Sequence, residues 1–212
     1  MTHFLSAILL AAGLSQRMGE DKLLLEYKGK SLLQHALDLL EEIPAAEKIV
    51  VTSDARSEKV QIPQGVRLLI NAHPEKGQCE SIRIGVEGVL NSQGEQSNTA
   101  APDTPPTSIL FLTADQPKLK PSDLRPFLEA SKENPDKIIY PLIDNQPNSP
   151  TIFPSRFFND LMKLATHSAP KARQNGGKAI RDSNPEHCLP IIPQNPQNFI
   201  DIDTTEDYDA LI

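Results

Sequence analysis

Leu10-Ala11-Ala12-Gly13-Leu14-Ser15-Gln16-Arg17-Met18-Gly19-Glu20-Asp21-Lys22 is the stretch that decides how this chain is read. It follows Ile8-Leu9, and Ile8, Leu9 and Leu10 read as the end of a buried strand. Gly13 and Gly19 let the backbone after that strand turn tightly and bring its N–H groups close to an anion. Arg17 and Lys22 add mobile positive charge for oxygens that backbone donors alone do not neutralise. The combination predicts a loop that holds a nucleoside triphosphate. Leu10, Ala11, Ala12, Gly13, Ser15 and Gly19 are its candidate nucleotide-binding residues, and Arg17 and Lys22 its candidate catalytic cations. Two familiar phosphate loops are excluded. The ending Gly19-Glu20-Asp21-Lys22-Leu23 lacks the Gly-Lys-Ser/Thr of a P-loop, and no Gly-x-Gly-x-x-Gly occurs.

Outward from the loop, Ser31 can cap a helix whose apolar positions Leu32, Leu33, Ala36, Leu37, Leu39, Leu40 and Ile43 recur at helical spacing, with Pro44 ending it. Short apolar runs at Lys48–Thr52, Val66–Ile70, Ser108–Thr113 and Lys137–Pro141 predict strands, and Thr151–Phe153 predicts one more. Helices are expected within Gly77–Leu90, over Pro121–Lys132 and over Ser155–Leu164. Alternating short strands and amphipathic helices indicate a single α/β domain over residues 1–212, three-layered with a mostly parallel sheet. Residues 91–107 are polar, rich in Ser, Pro and Gln, and lack periodicity, which predicts a mobile surface excursion.

Ligands of such sheets bind beyond the carboxyl ends of the strands, and three further groups fall there. Thr113-Ala114-Asp115-Gln116-Pro117 runs a strand directly into a carboxylate. Mg²⁺ favours one or two carboxylates together with phosphate oxygens, so Asp115 is a candidate metal ligand; a turn or cap aspartate is its plainer reading. In Phe199-Ile200-Asp201-Ile202-Asp203-Thr204, alternation along a strand would put Asp201 and Asp203 on one face, with Asp203 the candidate second ligand and Asp201 its substitute. Thr204 can cap a final helix. Asn71 and the turn Gly77-Gln78-Cys79-Glu80-Ser81 offer amide and hydroxyl groups, so Asn71 and Ser81 could read a nucleobase edge, or simply start a helix. The five histidines are scattered without metal-ligand spacing.

Composition narrows the partners. Against 21 basic residues stand 28 acidic ones, and the net charge of −7 opposes nonspecific binding to nucleic acid or an anionic membrane. Cys79 and Cys188 form no Cys-x-x-Cys pair and suggest neither zinc nor a disulfide framework, which suits a reducing cytoplasm. The apolar N-terminal run lacks a basic n-region and falls short of the roughly 20 residues a membrane helix needs.

With these residues assembled, the chain resembles the nucleotidyltransferases related to molybdenum cofactor guanylyl- and cytidylyltransferases. Leu10-Ala11-Ala12-Gly13-x-Ser15-x-Arg17-Met18-Gly19-x-Asp21-Lys22 looks like the family signature, and Asp115-Gln116-Pro117 and Asp201-Ile202-Asp203-Thr204 fall where that family has metal-binding and closing motifs. The resemblance implies a Rossmann-like nucleotidyltransferase fold, Mg²⁺ on Asp115 and Asp203, and molybdopterin as acceptor, with a molybdoenzyme or its maturation chaperone as partner. Leu-Ala-Ala-Gly and Ser81 resemble the cytidylyl branch, so CTP is the expected donor. GTP with the same acceptor, transfer to a sugar phosphate, and noncatalytic cofactor delivery are the alternatives. The chain departs from the cytidylyl pattern at Asn148-Ser149-Pro150, where a glycine would be expected before the proline, and over residues 165–178, which lack the Gly-Asp-x-Gly expected after the preceding helix. Lys171, Arg173, Lys178 and Arg181 could grip a phosphorylated pterin there, or form a solvated basic face.

Overall fold

The computed structural model describes residues 4–14, 21–92, 105–166 and 176–212. Ser15, Arg17, Gly19, Lys171, Arg173 and most of the 91–107 segment lie outside the described residues. In chain order the strands are β1 (Leu5–Ala11), the hairpin β2 (Glu26–Tyr27) and β3 (Lys30–Ser31), β4 (Glu47–Thr52), β5 (Val66–Ile70), β6 (Ser108–Thr113), β7 (Ile138–Ile143), β8 (Gln146–Pro147), β9 (Thr151–Pro154) and β10 (Cys188–Ile191). The helices used below are α1 (Leu32–Glu42), α2 (Asp54–Ser57), α3 (Gln78–Asn91), α4 (Pro121–Glu133) and α5 (Phe158–Lys163). None of the described helices is long and apolar enough to cross a membrane.

The main sheet has the order β10-β7-β9-β6-β1-β4-β5, with β8 paired to β7. β1 pairs in parallel with both β4 and β6, β4 with β5, and β7 with β10, while β9 runs antiparallel to β6 and β7. From β1 the chain builds outward through β4 to β5 and then returns to the other side of β1 as β6. The order therefore reverses between β1 and β6, and a crevice opens beyond their carboxyl ends.

β1 is buried on both faces, and its alternation divides the core. Ala7, Leu9 and Ala11 join a cluster with Leu33, Leu37 and Leu40 of α1 and Leu124 and Phe127 of α4. Ile8 and Leu10 join the opposite cluster with Ile82, Val86 and Val89 of α3 and Leu161 of α5. Helix, sheet and helix thus form three layers. Leu33, Leu37 and Leu40 are fully buried, each contributing about 1.5–3 kcal/mol of transfer free energy. Ser31 starts α1 as expected: its Oγ accepts the Gln34 N–H at 3.1 Å.

Two expectations need correction. The strand at residues 199–203 is absent; the chain runs through a 3₁₀ turn over Pro196–Phe199 and then an irregular stretch. Both lateral positions beside β6 are taken by β1 and β9, so residues 200–203 have no ladder to join. Among the described residues their backbone bridge to the sheet side is Ile202 N–H to the Asp115 carbonyl at 2.9 Å. The Ser155–Leu164 helix is a 3₁₀ turn over Ser155–Phe157 followed by α5.

Candidate functional site

At the reversal between β1 and β6 lies a cleft of about 420 Å³. Leu10, Ala12, Gly13, Leu14 and Lys22 form one wall, Gly77, Gln78 and Ser81 at the start of α3 another, and Thr113, Ala114, Asp115 and Asp203 complete it. Of the predicted loop residues described, Leu10, Ala12, Gly13 and Lys22 line the cleft. Ala11 does not; its side chain packs in the α1-facing core. A Cβ on Gly13 would meet no atom of the described residues within 4 Å beyond its chain neighbours, so the packing of those residues does not require glycine there.

The cleft is organised by a cation between carboxylates. Lys22 Nζ lies 2.8 Å from Asp115 Oδ2 and 2.8 Å from Asp203 Oδ1. Burial works against the charge on Lys22, but Asp115 and Asp203 more than offset it and hold its pKa above the usual lysine value. Asp201 also belongs to this group: burial first, then the charges of Asp115 and Asp203, push its pKa up to about 7. Four ionisable groups from three distant segments therefore share one electrostatic site. Gln116 helps assemble it. Its Nε2 donates to the Phe199 carbonyl at 2.9 Å and the Ser149 carbonyl at 3.2 Å, fastening the segment before Asp201 to the end of β6.

The donor set fits a hard divalent cation. Asp115 Oδ1 is buried without a hydrogen-bond partner among the described residues, as is Asp201 Oδ1, and Mg²⁺ takes carboxylate oxygens together with substrate oxygens. Among the described residues no group of three or more His, Cys, Asp or Glu is placed to hold a metal ion. A cation held here would thus draw its remaining ligands from substrate or water.

A residue that the sequence did not single out ties the site together. Arg56, in α2 just beyond β4, is 5% exposed. Its Nη1 donates to the Ala11 carbonyl at 2.6 Å, its Nη2 to the Gly13 carbonyl at 2.5 Å, and its Nε to Asp21 Oδ2 at 2.5 Å. Thr52 Oγ1 adds a bond to the Ala11 carbonyl at 3.1 Å. Asp21 in turn caps the turn carrying Lys22, Oδ1 accepting the Leu23 N–H at 3.3 Å. Ser-Asp-Ala-Arg-Ser carries no motif; its one signal is position, past the carboxyl end of a parallel strand.

On the opposite wall, Asn71 is buried, its Nδ2 donating to Ser81 Oγ at 3.0 Å and its Oδ1 accepting the His73 N–H at 2.8 Å. Ser81 lines the cleft, whereas Asn71 orients Ser81 and the turn before α3. Gly77, at φ +88°, provides the left-handed residue from which α3 starts. Arg181 neither faces a ligand nor lies on a solvated basic face, the two readings the sequence left open: it is buried, with its guanidinium 4.9 Å from the centre of the Tyr140 ring. Lys178 is exposed.

Residues 7–186 match the family described as "MobA-like NTP transferase domain". A Rhodopirellula baltica protein named "Probable molybdenum cofactor guanylyltransferase" is 34% identical over 138 residues, covering 64% of this chain and 59% of that protein. A Pyrococcus horikoshii protein of the same name is 39% identical over 67 residues, covering 32% of this chain and 35% of that protein. Both matches thus span less than two thirds of the relatives' own length. In fold, the chain superposes on a nucleotidyl transferase from Methanothermobacter thermautotroptrophicus with a TM-score of 0.74 at 18% identity, covering 99% of this chain and 96% of that one.

Proposed function

Because the chain belongs to the MobA-like NTP transferase domain family, we propose that it transfers a nucleoside monophosphate from a nucleoside triphosphate to the terminal phosphate of molybdopterin. An oxygen of that phosphate forms a bond to the α-phosphorus, the bond from the α-phosphorus to the bridging oxygen breaks, and pyrophosphate leaves with the electron pair. The observation that carries this reading is Lys22 Nζ held 2.8 Å from each of Asp115 and Asp203 in the crevice between β1 and β6. Phosphoryl chemistry of this kind needs alignment and charge neutralisation more than covalent participation by the protein.

Lys22 supplies one fixed positive charge to the triphosphate, and Arg17 is assigned the same task. Asp115 and Asp203 would hold Mg²⁺, with Asp201 the nearby substitute; such an ion supplies further charge neutralisation on phosphate oxygens. Ser81, oriented by Asn71, faces the base.

We take GTP as the donor, since both relatives above carry guanylyltransferase names; this departs from the CTP expected from Ala12 and Ser81. CTP stays a second reading because Ala12 lines the cleft, and an added methyl in a tight pocket costs a larger base about 1–3 kcal/mol. The test is incubation of the purified protein with molybdopterin, MgCl₂ and equal GTP and CTP, with pyrophosphate and the dinucleotide products quantified. The guanine dinucleotide in excess is expected. An excess of the cytosine dinucleotide would replace GTP by CTP, and no pyrophosphate from either would overturn catalysis in favour of a noncatalytic role in carrying the cofactor.

A further inference from the structure

We propose that Arg56 is a positioning residue for the triphosphate, setting the two flanks of the phosphate-binding loop at a fixed separation and masking the carbonyl oxygens at the end of β1. The assignment rests on the nucleotidyl-transfer reading, because a triphosphate is what those flanks would hold. The first flank is Ala11 and Gly13, whose carbonyls both accept from Arg56. The second is Asp21, whose carboxylate accepts from Arg56 Nε and whose other oxygen caps the turn bearing Lys22. One guanidinium thus links the end of β1 to the residue preceding the lysine that bridges Asp115 and Asp203.

Two physical consequences follow for an anionic ligand. Carbonyl oxygens carry partial negative charge and repel phosphate oxygens, so turning two of them onto a buried cation makes this end of β1 less hostile to a triphosphate. The planar fork also fixes direction: three oxygens from two flanks are met by one rigid group, which a flexible ammonium cannot reproduce. Arg56 need not touch substrate for either effect.

The test compares Arg56→Lys and Asp21→Asn with the wild type by steady-state kinetics with the nucleotide varied, by calorimetric titration of GTP and of CTP without acceptor, and by thermal melting. Arg56→Lys keeps the charge and loses the fork. Its kcat/KM should fall on the order of a hundredfold, as expected for misaligned reacting groups, with nucleotide KM raised and nucleotide affinity lowered in parallel. Asp21→Asn should move both in the same direction by less. A purely structural role would lower the melting midpoint and the active fraction, hence apparent kcat, with KM and affinity unchanged, and that result overturns the assignment. Should Arg56→Lys fail to fold, Asp21→Asn decides alone: unchanged KM and affinity overturn the proposal. Wild-type protein that binds neither GTP nor CTP overturns the nucleotidyl-transfer reading itself, whereas normal wild-type binding matched by both variants overturns only the role of Arg56.

Discussion

Lys22 Nζ and Asp115 Oδ2 lie 2.8 Å apart across 93 residues of sequence, joining the 3₁₀ turn at Lys22–Leu24 to the end of β6. The ammonium meets Asp203 at the same distance, and so keeps together two carboxylates that would otherwise repel one another. Both ends of the chain and its middle converge on this one contact.

Removing the cation should therefore disable chemistry before it disables folding. Lys22→Ala is expected to lower turnover on the order of a hundredfold or more, the usual loss for a charge-stabilising group, with a circular dichroism spectrum like the wild type's. Arg17→Ala is expected to do likewise. Near-normal turnover of both variants at saturating nucleotide and Mg²⁺ would remove these side chains from the mechanism.

Asp115→Asn and Asp203→Asn replace hard anionic donors with neutral amides, which serve Mg²⁺ poorly. The Mg²⁺ concentration for half-maximal activity should rise roughly tenfold or more, and direct titration with Mn²⁺, followed by electron paramagnetic resonance, should show the same weakening. Unchanged metal dependence in both variants and in Asp201→Asn would mean that the ion is held elsewhere.

Asp201 makes stability depend on pH. Its pKa, raised to about 7, means that the folded state holds this proton more tightly than the unfolded chain, whose aspartates titrate near about 3.9. That contribution is fully present below about pH 4 and is lost as the pH rises through about 7. Asp201→Asn imitates the protonated carboxyl. In the presence of chelator it should melt with the wild type near pH 4 and above it at pH 8, a gain of about 1 kcal/mol corresponding to roughly 2–4 °C. Equal midpoints at pH 8 would show that the carboxylate is not destabilised there.

Gly177 tests the packing against Phe153. Its φ of −73° suits any residue, so alanine would gain about 0.4–1 kcal/mol through the unfolded chain if space allowed. Space does not allow: the new Cβ would sit 2.6 Å from Cζ of Phe153, a buried core ring, and such overpacking costs about 1–3 kcal/mol. Chemical denaturation should show Gly177→Ala to be less stable than the wild type; a more stable variant would mean that the ring moves aside freely.

What the sequence made legible followed from strict periodicity. β5 spans Val66–Ile70 and β6 spans Ser108–Thr113, the predicted bounds, because continuous apolar runs ending in turn residues leave little freedom. Leu10, Ala12, Gly13 and Asp115 came together at the cleft because the parallel strands β1 and β6 deliver their carboxyl ends to one edge, whereas Lys22 arrives on a 3₁₀ turn and Asp203 on an irregular segment. Hydrogen bonds between distant segments were not legible. Nothing local tells Thr151–Pro154 to run antiparallel, or tells residues 200–203 that β6 already has both neighbours. The roles of Arg56 and Asn71 arise from carbonyls and hydroxyls brought near them only in the folded chain. Arg181 reads as a ligand's cation or as part of a solvated basic face until the Tyr140 ring is seen beside it.

The junction of Gln116 with the Phe199 carbonyl, and of Ile202 with the Asp115 carbonyl, has a bearing on synthesis. Every strand of the sheet precedes Phe199 in chain order, and Phe199, fully buried, packs its ring 5.8 Å from that of Phe127. A nascent chain that has not yet delivered residues 199–203 can lay down all its strands. It still lacks Asp201, Asp203 and the aromatic plug that seats them. Until residues 199–203 dock, such a chain holds only one of the three carboxylates that gather around Lys22.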